Sequence, residues 1–282
     1  GEQRENFLED YKFNLTPSSD DQPHFFHFFK WSSLKEVLQL RARGGAPLTD
    51  AGYLVLVATL VQAAIASLLL ILLPIWAYQR RMGPVPSSVR RSDVVGYFLL
   101  LGLAFLFIEI AFIQKFILFL HHPLYAIAVV LSSFLVFSGL GSAWLGRVSA
   151  HDHGKLLGWA VSGIVVLGAL YLLLLGPLLG PLADLPDAVR ILITALLIAP
   201  LAFCMGMPFP LGLARLADNA PELIPWAWAI NGCASVISAV LATLLAIHLG
   251  FAMVIAVALV LYALSLWVFP RRCSGCPAVR RH

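Results

Sequence analysis

Between residues 51 and 269 the chain alternates long apolar runs with short polar interruptions. Residues 94–119 read VVGYFLLLGLAFLFIEIAFIQKFILF, about 26 residues against the roughly 20 that cross a hydrocarbon core as a helix. Further runs of this kind occupy 51–78, 124–145, 156–179, 188–205, 225–247 and 251–269. The pattern predicts an all-α fold, a polytopic transmembrane helix bundle of about seven spanning helices over 51–269. A short polar lead-in at 1–50 precedes it, and a basic tail at 270–282 follows.

Several runs carry internal marks. The third closes with Ser138-Gly139-Leu140-Gly141-Ser142, small residues that let two helix backbones approach where no hydrophobic drive exists between helices. The fifth meets Gly206-Met207-Pro208-Phe209-Pro210. Pro208 and Pro210 remove two donors and clash with the preceding turn, so a helix must break there. Such a break either lines a cavity, as in transporters, or lies at the interface beside Arg215 and Asp218. In the sixth run Ala227, Asn231, Ser235, Ala239 and Thr243 recur every fourth residue and form one small, polar stripe, the expected contact face.

Polar groups inside the apolar runs are the candidate chemistry. Glu109 sits mid-run, where a carboxylate costs roughly 2.5–3.5 kcal/mol and therefore faces a packed interior or a wet cavity. Gln114 and Lys115 follow. Lys115 is six residues on, about 9 Å and 120° away on a helix. It is expected to snorkel to the outer interface. Glu109 then needs a partner from another helix, and Asn231 is the expected one.

In the lead-in, the turn formers Thr16-Pro17-Ser18-Ser19-Asp20-Asp21-Gln22-Pro23 are followed by His24-Phe25-Phe26-His27-Phe28-Phe29-Lys30-Trp31. Imidazoles among aromatics suit a bilayer interface. The alternative is a polar site of Asp20, Asp21, His24 and His27. Leu34, Val37, Leu38 and Leu40, interleaved with Lys35, Arg41 and Arg43, predict an amphipathic surface helix.

Composition agrees with a bilayer: 60% hydrophobic, 12% charged, mean hydropathy +0.87, against about 25% charged in soluble domains. The net charge of +4 would suggest nucleic acid in a soluble protein. Here the basic residues cluster beside apolar runs and set topology instead. Arg80, Arg81, Arg90, Arg91, Arg147, Lys155, Arg215 and the arginines of the tail fall on one side. That side is expected to be cytoplasmic, with the C-terminus in it and the lead-in opposite. No basic n-region or cleavage site opens the chain, which is expected to be a piece of a longer polypeptide. Cys204 and Cys233 read as small core residues. Cys273 and Cys276 are a lone pair short of the four ligands of a structural zinc site, so no metal is expected.

The motif 16–27, together with GLAFLFIEIAFIQKFILFLHHP at 102–123, FSGLGS at 137–142, MGMPFPLGL at 205–213 and PWAWAINGCASV at 225–236, resembles a known group. It is similar to the C-terminal membrane half of polytopic bacterial proteins of the spermidine synthase-like or SAM-dependent methyltransferase-like kind. The resemblance runs from about residue 14 to 269 and departs from the pattern at Ser18-Ser19 and Gln22. It implies a Rossmann-like transferase domain upstream, using SAM or decarboxylated SAM, and no cofactor within this segment. The implied partners are membrane lipid and that catalytic domain, in a bacterial inner membrane.

Two functions follow. One is a membrane module that anchors the upstream domain and gives it access to a lipophilic substrate, with Glu109, Gln114 and Asn231 as a buried polar network. The other is a permease module in which Glu109 couples to proton or organic-cation movement and the Pro208/Pro210 break acts as a gate. In a third reading Glu109 is a structural hydrogen-bonding residue only.

Overall fold

The structure, a computed structural model, describes Asp21 and residues 51–82, 89–147 and 153–270. Asp20, His24, His27, the amphipathic segment after them and the Cys273/Cys276 tail lie outside the described residues.

The described chain is all-helical, a bundle of membrane-length rods. Helix α1 (Ala51–Ser67) continues through a π-helical turn (Leu68–Leu72) into α2 (Leu73–Met82). Then come α3 (Arg91–Leu120), α4 (Pro123–Leu145), α5 (His153–Leu179), α6 (Asp187–Met205), α7 (Pro208–Asn219), α8 (Ile224–Leu249) and α9 (Phe251–Trp267). Among the described residues six spans are long and apolar enough to cross a membrane, with α6 and α7 together forming one of them. Helix α9 has 17 residues, about 25 Å at 1.5 Å per residue, short of a core about 30 Å thick unless its flanks contribute.

Local chemistry explains the irregularities. Pro74 lacks an N–H and crowds the carbonyl four residues back. The helix widens just before it, so that the Leu73 N–H donates to the Leu68 carbonyl, five residues back. Helix α3 ends on His121, whose φ of 58° is the left-handed C-cap conformation. The α8 to α9 reversal turns on Gly250 at φ 85°, which a residue without Cβ adopts freely. Pro200 lies inside α6, and the Tyr171 hydroxyl of α5 donates to the Leu197 carbonyl beside it.

Helix α3 is the axle of the bundle. It packs most extensively on α8 and α9, then on α4, with smaller contacts to α6 and α7. More than half of its most apolar window is buried, whereas α1 buries 6% of its own and leans chiefly on α8. An aromatic cluster locks the axle to its neighbours. Phe112 of α3 meets Phe134 of α4 and Tyr171 of α5 edge-on, both at 5.8 Å between centroids. Helices α4 and α6 meet backbone to backbone: a Cβ on Gly206 would lie 2.0 Å from the Ser138 carbonyl oxygen, and one on Gly141 2.1 Å from that of Phe203.

Candidate functional site: a lateral cleft beside the α6–α7 break

Helices α4 and α8 both lie against α3 but do not pack along each other. The gap between them holds a cleft of about 530 Å³. Its floor is α3 at Leu101, Gly102, Phe105 and Leu106, and its walls are α4 from Leu135 to Ser142 and α8 at Trp228, Asn231 and Ser235. The break between α6 and α7, Met205 to Pro210, closes one end. Leu135 and Trp228 on the rim are 70% and 58% exposed, so the opening faces lipid.

The break is ordered by neighbours. Helix α6 stops at Met205 and α7 begins at Pro208, where the missing N–H costs nothing at a helix start. The Gly206 N–H still reaches the Ala202 carbonyl at 3.0 Å and the Met207 N–H the Cys204 carbonyl at 3.3 Å. From the axle, the Tyr97 hydroxyl donates to the Pro208 carbonyl at 2.6 Å. Pro208 and Pro210 both line the cleft.

Helix α8 presents a different stripe from the expected one. The buried line is Ala227, Ile230, Ala234, Ser238 and Ala242. Ala234 faces Gly102, where a Cβ would approach to 2.7 Å, and the Ser238 hydroxyl donates to the Leu103 carbonyl at 2.8 Å. The four-residue stripe through Asn231 and Ser235 is rotated by about one residue and lines the cleft instead. Ser235 and Thr243 bond back to the Asn231 and Ala239 carbonyls of their own helix.

Glu109 is buried, 7% exposed. It does not line the cleft: it lies seven residues beyond Gly102 and three residues, about 4.5 Å, beyond Leu106 at the end of the floor. Asn231 is not its partner. The Asn231 side-chain oxygen lies 3.1 Å from where a Gly102 Cβ would be, because α8 crosses α3 at Gly102 and Leu103. Gln114 points about 140° away from Glu109 around α3. The expected Glu109, Gln114, Asn231 network is therefore not formed among the described residues. The group within electrostatic range of Glu109 is the phenol of Tyr262 on α9, which also lines the cleft.

Lys115 does not simply snorkel. Its Nζ lies 3.0 Å from Asp21 Oδ1, and both side chains are about a third exposed. The same Asp21 caps α9: its backbone carbonyl accepts from the Phe251 N–H at 3.1 Å, and Oδ1 from the Ala252 N–H at 3.0 Å. An acceptor at the open N–H groups of a helix start satisfies donors that have no partner within the helix. Asp21 thus fastens the lead-in to the end of the bundle opposite Arg90 and Arg91. It acts as a cap and counter-ion there.

Sequence reasoning missed Arg190. Its guanidinium, 7% exposed, donates from Nη1 to the Phe119 carbonyl at 2.9 Å and pairs through Nη2 with Asp187. A cation at the carbonyl end of α3 complements the helix dipole. The available signal was a lone arginine three residues after an aspartate at the head of an apolar run. Tyr97 and Tyr262 were missed as well, and their signal was a phenol amid apolar residues. Cys233 is buried with its thiol toward the Ser67 carbonyl at 3.7 Å, and Cys204 packs against Gly163.

Among the described residues no three of His, Cys, Asp and Glu gather to hold a metal. Compared with family models, with curated proteins and with solved structures, the chain matches none.

Proposed function

We propose that this chain is an integral-membrane module that admits a lipophilic molecule from the bilayer through the gap between α4 and α8. It anchors a domain joined to the lead-in and gives that domain access to its substrate. The observation that carries the reading is the cleft itself: its rim is lipid-exposed, its walls hold hydrogen-bonding groups and its end is a broken helix. Concave, mostly apolar sites with a few convergent polar groups are how proteins bind small molecules. The Asp21 contacts support a lead-in tied to the same bundle. The resemblance to spermidine synthase-like membrane proteins would make the joined domain a transferase in a bacterial inner membrane. The arginine-rich loops favour a cytoplasmic C-terminus, which would leave Asp21 at the far side. A SAM-using domain needs the cytosol, so the module reading is favoured over that particular cofactor.

A second reading, a permease, is favoured by one observation: a buried acid without an ion-pair partner among the described residues, one turn from Leu106 on the cleft floor. Uptake of organic cations, polyamines included, into proteoliposomes separates the two. The module reading predicts no uptake that depends on Glu109. Uptake by the wild type that is lost in Glu109→Gln would establish the permease.

A further inference from the structure

The side chains of Tyr262, Asn231 and Ser142 carry hydrogen-bond donors, line the cleft and bond to no described residue. Tyr262 is 1% exposed and lines the cleft from α9. Asn231 stands on the α8 wall and Ser142 on the α4 wall. The other two lining hydroxyls are engaged, Ser138 with the Leu135 carbonyl and Ser235 with the Asn231 carbonyl. No Lys, Arg, Asp or Glu lines the cleft. Glu109 does not line it, but lies about one turn beyond Leu106 of the floor and within electrostatic range of the Tyr262 phenol.

From this lining we infer that the cleft selects a neutral lipophile bearing a carbonyl or hydroxyl oxygen, with Tyr262 and Asn231 as the specificity-determining donors. The inference rests on the lateral cleft proposed above and names its ligand class. A charged head there would lose its hydration with no opposite charge on the walls. A neutral oxygen accepts from both donors and relieves two unmade hydrogen bonds in a region without water. The body of the molecule lies against Phe105, Phe209 and Trp228, of which the last two already stack edge-on at 4.8 Å. A volume of about 530 Å³ suits a ring or a branched chain rather than a whole phospholipid.

The test uses the full chain in phosphatidylcholine nanodiscs with three sixteen-carbon diazirine probes of matched geometry: a ketone, an alkylammonium and a plain alkane. Adducts are mapped by mass spectrometry to the α4 and α8 walls. The ketone is expected to label the walls about tenfold more than either other probe, equivalent to about 1.4 kcal/mol. Tyr262→Phe and Asn231→Leu should each bring the ketone toward the alkane level while alkane labelling stays constant, which also reports an intact fold. A ketone preference that survives the double substitution overturns the inference. So does a dominant ammonium signal that Glu109→Gln abolishes. Equal labelling by all three probes rejects the oxygen selectivity and leaves the lateral cleft standing, whereas labelling of neither wall by any probe rejects both.

Discussion

The Tyr97 hydroxyl ties the α6–α7 break to the axle through the Pro208 carbonyl. Tyr97→Phe keeps the ring and its edge contacts with Phe98 and Phe269 and removes one hydrogen bond. The expected cost is about 1 kcal/mol, read as a downshift of about 2–4 °C in a thermal unfolding scan of the purified protein. Arg190 offers a sharper contrast. Arg190→Met leaves the Phe119 carbonyl unpaired, with an expected loss of about 1–3 kcal/mol. Asp187→Asn touches a partner that is 62% exposed and is expected to cost under about 1 kcal/mol. The same scan orders the two, and a larger loss in Asp187→Asn would contradict the buried role of the guanidinium. The burial of Glu109 was legible from its place in an apolar run, since lipid tolerates no bare carboxylate. Its neighbours were not legible, because the level at which α8 crosses α3 is set by Gly102 meeting Ala234, a tertiary fact absent from either run alone.

Close approach between elements depends on particular glycines. Gly206→Ala and Gly141→Ala would each drive a methyl group into backbone of the facing helix, so each is expected to cost several times the roughly 1 kcal/mol of a helix propensity change and to lower the yield of folded protein. Gly139→Ala, with open space around it, should be neutral. Size-exclusion profiles of the three variants check this, and a defect in Gly139→Ala alone would contradict the α4–α6 contact. The small-residue cluster at 138–142 was legible because close packing needs small side chains at helical spacing. The stripe on α8 was readable only to within one residue. A repeat of four defines a line along a helix, but two adjacent lines of small residues compete here, and packing against Leu103 chose the Ser238 line. Helix ends were legible to within a few residues because apolar runs stop where the bilayer does. The π-helical turn before Pro74 was not, since relief of one clash leaves no pattern in the sequence.

At the scale of the whole molecule, the bundle is polarised. The α3–α4 connection at His121 and His122, the start of α6, the start of α9 and Asp21 lie at one end, and Arg90, Arg91, Arg147 and Arg215 at the other. Single cysteines at His122→Cys and Arg147→Cys, in a background lacking the native cysteines, should react with an impermeant maleimide from opposite faces of a sealed vesicle. Labelling of both from one face would contradict the topology. The account as a whole depends on α4 and α8 standing apart above α3. The most direct measurement is the oxygen accessibility of a nitroxide at Leu106→Cys on the cleft floor. Two labels set the scale, one at lipid-facing Leu173, 73% exposed, and one at packed Ile164, which is fully buried. An open gap predicts accessibility at Leu106 near that of Leu173. A value as low as that at Ile164 would mean that the two helices close over the axle and that no lateral cleft exists.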